Sequence, residues 1–467
     1  MDAQSKPLTG KQMRPDEFVV VPDGWLSRGQ AFVRGDGAQL VIPGGIPGER
    51  VRVRVTSRTP HQVFGKVMEP ILAPHPDRVT PPCERLPYCG RCTLMHLNDR
   101  GIDSAQRGII ELALREAGVQ PKLEPIVHSH QQDSIHSIEL LAGYSDEGSP
   151  RLGVTAAKGG LIPIPLCNLV TPVLREIMKV AAHHMRALEI RPADGRGGTL
   201  RRIRAMQVPG TDEVILILGT VRKNPVLRDY AVAMGAAVPQ LASVYLHREE
   251  DDPTGEDLFL TYGKPAVEWS AGWLRLKVGP KDPMPPHPTL ALRMAEDAVT
   301  ALNPQKGDAV VDIGAGLGLR TMLLAKKSGW ALGVESSEDM VRHARENAAA
   351  NQVSAEFFEG PVTEALESPR LAGLRPLVYL DAERRGLEGE VLAALEQLSP
   401  RRIALACTNP RALARDIALL SGKGYDLRRI VSYDVSPFTP FVESVALLVS
   451  RDLRGPERRA PQRRTVR

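Results

Sequence analysis

At 467 residues, 42% of them apolar and 25% charged, the chain has the composition of a soluble globular protein and the length for two to four domains, each able to bury a core. A formal charge of +5 is too small to argue for nucleic acid by itself, so only the distribution of charge can carry that case. No stretch is apolar for long enough to span a membrane, Met1–Gly10 lacks the core of a secretory signal, and the few cysteines suit a reducing compartment, so the expectation is a cytoplasmic protein with no membrane partner.

Residues 1–16 read as a disordered leader. Residues 17–75 carry five short apolar runs broken by Gly and Pro (FVVV, QAFVRG, AQLVIP, RVRVRVTSR and VFGKVMEPIL), the pattern of a small all-β unit. Arg50, Arg52 and Arg54 alternate with Val51, Val53 and Val55, so one strand face is basic and the other apolar. A five-stranded OB-type barrel that binds nucleic acid by its surface fits this pattern, and so does a plain solvated face. Residues 76–282 open with Cys83, Cys89 and Cys92 in the spacing C-x5-C-G-x-C, and a fourth, Cys167, comes later in PIPLCNLV. Three cysteines so close in a reducing compartment point to a metal site. Four thiolates can hold a [4Fe–4S] cluster or a zinc ion, and the spacing does not choose between them. The rest of this region reads as mixed α/β, with helices at 110–117 and 171–188 and strands at 152–154, 161–165, 213–220 and 244–248.

PMPPHP, residues 283–288, reads as a linker into a last domain over 283–451. That domain is organised around residues 307–335, GDAVVDIGAGLGLRTMLLAKKSGWALGVE, which read as strand, glycine loop, helix, strand. The first strand ends on Asp312; Gly314, Gly316 and Gly318 let the loop turn tightly and bring its backbone against a ligand. The second strand ends on Glu335, placed to accept hydrogen bonds from a ribose. Strands and helices then alternate, which predicts a mainly parallel, Rossmann-like sheet with ligands at the carboxyl ends of the strands. The ends to watch are the glycine loop, Glu335, Asp381 and the run Cys407-Thr408-Asn409-Pro410. Residues 452–467 are arginine-rich and without apolar periodicity, a disordered tail that either solubilises the chain or touches RNA.

The loop E/D-x-G-x-G resembles that of class I S-adenosylmethionine (SAM) methyltransferases. Pro47-Gly48-Glu49 before the arginine strand resembles the turn of the TRAM domain, an RNA-binding barrel. The order of parts, from barrel through C-x5-C-G-x-C and a distant fourth cysteine to a SAM domain, resembles the RNA uracil-5 methyltransferases. Asn347-Ala348 with Asn351, Asn409-Pro410 followed by Leu413-Ala414-Arg415-Asp416, and Phe441-Val442-Glu443 extend the likeness over residues 18–451. The resemblance implies SAM-dependent methylation of uridine C5 in structured RNA, rRNA or tRNA, by a monomer. It implies [4Fe–4S] rather than zinc on Cys83, Cys89, Cys92 and Cys167; none of these is near the SAM motifs in sequence, so the role expected of the cluster is structural. It also implies a cysteine nucleophile that adds to C6, for which Cys407 is the candidate, and Glu443 as the base that takes the C5 proton.

The catalytic motif departs from the family. Aligned on Asn409-Pro410, the family cysteine falls on Thr408 and its serine on Cys407. A threonine hydroxyl does not replace a thiolate near pH 7, and a one-residue phase change at a strand end points a side chain to the other face. A local bulge could bring Cys407 back. The family's Asp-Pro-Pro-Arg is here Asp381-Ala382-Glu383-Arg384, its Gly-Asp is Gly360-Pro361, and its glutamine segment is the linker 283–287. These changes keep a second reading open, a non-catalytic RNA-binding paralogue that retains the fold and the cluster.

Overall fold

The computed structural model describes residues 16–35, 38–70, 73–128, 132–145, 147–155, 160–162, 167–193, 197–249, 257–282, 284–285 and 287–453. The leader through residue 15, residues 163–166 of one expected strand and the tail from residue 454 lie outside them. The chain forms two compact units, residues 1–111 with Phe438–Pro440, and the remainder.

In the first unit β1 (Glu17–Val20), β2 (Gly24–Trp25), β3 (Ala31–Val33), β4 (Gln39–Ile42), β5 (Val51–Arg58) and β6 (Gln62–Pro70) make one sheet in the order β1-β5-β6-β4-β3-β2. All five apolar runs are strands. The sixth strand, β2, is two residues long, too short to leave a periodic signal. Val51 and Val53 are fully buried, as their alternation with the arginines requires. Two of the three arginines are paired with carboxylates on neighbouring strands. Arg54 Nη2 lies 2.6 Å from Glu17 Oε1, and Arg52 Nη1 lies 3.3 Å from Glu69 Oε1, both across strand pairs. A short helix α1 (Leu86–Cys89) and the long α2 (Asp99–Glu116) complete the region. α2 starts at Asp99 rather than 110, because Ile102, Ala105 and Ile109 lie on one face and pack with Trp25, Leu94 and Leu97.

The second unit begins with a seven-stranded sheet of β7 (Ser137–Tyr144), β8 (Pro150–Thr155), β9 (Leu161–Ile162), β10 (Leu200–Gln207), β11 (Val214–Thr220), β12 (Leu241–Arg248) and β13 (Leu258–Gly263), ordered β13-β12-β11-β10-β7-β8-β9. Its helices are α3 (Pro172–Ala187) and α4 (Val226–Ala237). The run VILILGT is β11, buried at every position in the middle of the sheet. A hairpin of β14 (Val267–Ala271) and β15 (Leu274–Val278) leads to α5 (Pro288–Leu302).

The last sheet contains β16 (Val310–Ile313), β17 (Ala331–Glu335), β18 (Ala355–Glu359), β19 (Leu377–Asp381), β20 (Arg402–Cys407), β21 (Tyr425–Tyr433) and β22 (Glu443–Ser450). The order is β18-β17-β16-β19-β20-β22-β21; the first five pair parallel, and β22 and β21 close the sheet antiparallel. The connecting helices are α6 (Leu319–Ser328), α7 (Glu338–Ala350), α8 (Val362–Ala365), α9 (Gly389–Leu398) and α10 (Pro410–Gly422). One core joins both sheets of this unit, with Ile215, Tyr245 and Leu276 in the same cluster as Val310, Met322 and Tyr379. Asn347 and Asn351, two of the residues that carried the resemblance, tie α7 to β15. Asn347 Oδ1 accepts from Lys277 N at 2.8 Å and Asn351 Oδ1 from Arg275 N at 2.9 Å.

Candidate active site

The glycine loop sits between β16 and α6, with φ of 79°, 53° and 84° at Gly314, Gly316 and Gly318. Each glycine is needed for a different reason. A Cβ on Gly318 would meet the Phe357 ring at 2.7 Å, and one on Gly314 would meet Asp381 Cβ at 3.1 Å. A Cβ on Gly316 would have nothing within 4 Å, so this glycine faces open space on the ligand side. Glu335 Oε2 accepts from Gly316 N at 3.0 Å, and Oε1 accepts from Ser336 N and Ser337 N at 2.8 and 3.1 Å. The carboxylate therefore stands at the loop, where a ribose can exchange for part of this bonding.

Asp312 is fully buried beneath the loop. Its Oδ2 accepts from Thr321 Oγ1 at 2.6 Å, and its Oδ1 lies 3.5 Å from Arg320 Nε. It shapes the loop from below and does not open to the ligand space. Arg320 was not singled out from the sequence. It donates to the Gly314 carbonyl, lies 3.4 Å from Asp381 Oδ2 and stacks 4.6 Å from the centre of the Tyr379 ring. Its only trace in the sequence is a charge inside the otherwise apolar start of α6. The Tyr379 hydroxyl is buried and makes no hydrogen bond among the described residues. Open space at Gly316, an acceptor at Glu335 and an orphan hydroxyl nearby fit SAM, whose ribose Glu335 would hold and whose methionine part the loop would pass beneath.

Glu443 opens β22. Burial pushes its carboxyl up to about 7, the neighbouring Asp381 adds to the rise, and Arg320 opposes it. The structure thus brings Glu443, Asp381 and Arg320 together beside the glycine loop. Cys407 stands elsewhere. β20 pairs with β22 so that Cys407 lies opposite Ser444 and Ala406 opposite Val445. Alternation then sends Cys407 and Glu443 to opposite faces of the sheet, and the next residue, Thr408, is the one in phase with Glu443. Cys407 is 1% exposed, and burial raises its thiol to about 11. Its sulfur lies 3.5 Å from Asn409 N. Thr408 is exposed, with its N donating to Glu383 O at 3.0 Å. The strand end is capped as a helix start, with Asn409 Oδ1 accepting from Arg411 N at 3.1 Å and Pro410 in the first turn of α10.

Cys83, Cys89 and Cys92 belong to the first unit and Cys167 to the second; all are partly buried thiols. Cys89 ends α1, which Gly90 caps at φ 67°. Cys167 begins the turn before α3, its carbonyl accepting from Val170 N at 3.1 Å. Among the described residues no three His, Cys, Asp or Glu side chains converge as metal ligands. The donor set is chemically right for a thiolate-bound metal.

A family model described as a methyltransferase domain matches residues 310–371, from β16 and the glycine loop to just beyond α8. The chain is 29% identical to a 23S rRNA (uracil(1939)-C(5))-methyltransferase of Pseudomonas putida, over 94% of each chain. It is 28% identical to the enzyme of the same name from Aeromonas hydrophila, over 94% of this chain and 97% of the relative. In structure it is similar to a tRNA (uracil-54, C5)-methyltransferase of Pyrococcus abyssi solved with S-adenosyl-L-homocysteine, with a TM-score of 0.74 and 22% identity over 92% of this chain and all of that one. That likeness shows a SAM-dependent methyltransferase fold. The resemblance read from the motifs is borne out along nearly the whole chain. No helix among the described residues is long and apolar enough to cross a membrane.

Proposed function

We propose that this chain, a relative of RNA uracil-C5 methyltransferases, moves the methyl group of SAM to C5 of a uridine in structured RNA, rRNA or tRNA, in the cytoplasm. The observation that carries the reading is the carboxyl of Glu443, held near neutrality at a strand end beside the glycine loop and Asp381. Bound SAM supplies an electrophilic methyl. Uracil C5 is a poor nucleophile until a thiolate adds to C6 and pushes the ring electrons toward C5 and the C4 carbonyl. After C5 has taken the methyl, the Glu443 carboxylate accepts the C5 proton. That electron pair re-forms the C5–C6 double bond and expels the thiolate. The uridine must be unpaired and turned out of its stack to enter. Cys407 is the thiol for this step. As folded it is buried, neutral and on the face away from Glu443, so the segment 407–410 must shift by one residue, as in a β-bulge, when RNA binds, and there the thiol gives up its proton to solvent before the sulfur adds to C6.

The four cysteines Cys83, Cys89, Cys92 and Cys167 are proposed to take up [4Fe–4S] in a structural role, and the first sheet to act as a TRAM-like RNA-binding unit. Anaerobic purification with iron and sulfide analysis tests the cluster; stoichiometric zinc without iron would overturn it. The function is tested by incubating protein, SAM and a 23S rRNA transcript, then digesting the RNA to nucleosides for mass spectrometry. 5-Methyluridine is expected. RNA binding without any methylated product would instead establish the non-catalytic paralogue, and a methyl group on another atom would exclude the C6 adduct.

A further inference from the structure

The sheet of the second unit that carries no SAM motif forms one wall of a cavity of about 810 Å³. Strand register places its polar residues in line on one face. Arg204 of β10 lies opposite Glu139 of β7 and Ile217 of β11, and Gly219 lies opposite His247 of β12. Arg202, two residues before Arg204, shares that face. The facing wall includes Ser336 and Ser337, whose backbone N–H groups hold the Glu335 carboxylate. The cavity therefore abuts the ribose end of the cofactor site.

The cations on its walls are not equivalent. Arg202 Nε donates to Glu249 Oε1 at 2.5 Å and its Nη1 to Glu139 at 3.3 Å. Lys281 Nζ lies 2.8 Å from Asp339. The Arg204 guanidinium makes no hydrogen bond or ion pair with any described residue. It is partly buried, and burial lowers its pKa; Glu139 acts against this and Arg202 with it. A half-desolvated guanidinium that no protein acceptor holds is free to take an anion in the space it lines. The acceptor that best matches a guanidinium fork, at the mouth of a site that works on RNA, is a phosphodiester oxygen pair.

We propose that Arg204 binds a backbone phosphate of the RNA substrate in this cavity, holding the strand beside the methyl donor. The proposal rests on the RNA-methyltransferase reading and adds to it a site on a sheet with no cofactor motif. Arg204 acts as a positioning residue, since it lies outside the reacting group.

Filter binding of a 23S rRNA transcript at several salt concentrations, with wild type, Arg204→Ala and Arg204→Lys, tests it, alongside SAM affinity by calorimetry. Arg204→Ala is expected to weaken RNA binding about tenfold and to flatten the salt dependence by roughly one phosphate contact, a slope change of about 0.7. SAM affinity should be unchanged, which also shows that the variant is folded, and Arg204→Lys should recover part of the loss. Unchanged RNA affinity and slope in Arg204→Ala, with wild type binding and methylating normally, would overturn this inference alone. A loss of SAM affinity would assign Arg204 to the cofactor site and overturn it too. Submillimolar binding of inorganic pyrophosphate that depends on Arg204, with RNA affinity unaffected, would assign the site to a free phosphate. Wild type that neither binds nor methylates RNA would overturn the functional reading itself.

Discussion

The ends of β16 and β20 lie on one sheet, separated by β19, and they answer the same demand differently. After β16 the backbone supplies the geometry, through positive φ at Gly314, Gly316 and Gly318 and open space at Gly316. After β20 the geometry depends on the phase of one side chain, and that phase turns Cys407 toward α10 and Thr408 toward Glu443's side. A loop made by glycines tolerates change in its side chains. A nucleophile at a strand end does not tolerate a shift of one residue, because alternation has a period of two.

The largest effect should come from the thiol. Cys407→Ala is expected to lower methyl transfer by at least about a thousandfold and to abolish any covalent RNA adduct on denaturing gels. Full activity in this variant would end the role of Cys407 while leaving SAM binding untouched. The comparison is sharpened by adding Thr408→Cys to Cys407→Ala. A thiol in phase with Glu443 should restore both the adduct and 5-methyluridine, and no recovery would show that phase is not the obstacle. Glu443→Gln should cost about a hundredfold or more in single-turnover methyl transfer. In the wild type that rate should rise with pH through about 7, because the base works only when deprotonated. At the other strand end, Gly316→Arg should weaken SAM about ten- to hundredfold, since it forces a positive φ on a non-glycine residue and fills the open space. Calorimetry checks this, and undiminished SAM binding would move the cofactor away from Gly316.

The last effect is on stability rather than on rate or affinity. Glu443 is protonated in both folded and unfolded chains below about 4.5. Between 4.5 and about 7 only the folded chain keeps the proton, so its contribution is lost as pH rises through that window. Glu443→Gln should remove this loss and stabilise the fold by on the order of 3 kcal/mol at pH 8 relative to pH 4, read as a difference in denaturation midpoints. Equal midpoint shifts at both pH values would mean that Glu443 is not perturbed.

Much of the molecule was legible in the sequence, because local chemistry carried it. Periodicity marked VILILGT as a buried strand, positive-φ glycines marked the loop, and Glu335 and Asp381 came from the rule that ligands meet strand ends. The departure at Cys407 was also visible as a phase change. The pairing of Arg52 and Arg54 was not legible, since their partners Glu69 and Glu17 stand on neighbouring strands. The charge of Arg320 at the apolar start of α6 did not reveal its role, because its partners Asp312, Asp381 and Tyr379 lie on strands β16 and β19. The amino-acid order alone determined the alternation of strand and helix, the glycine cradle and the family likeness, since these depend on neighbours along the chain. Only tertiary structure decided which charges are compensated, which carboxyl is held near neutrality and which face a thiol occupies, since Coulomb forces and burial act between residues that the chain separates by tens to hundreds of positions.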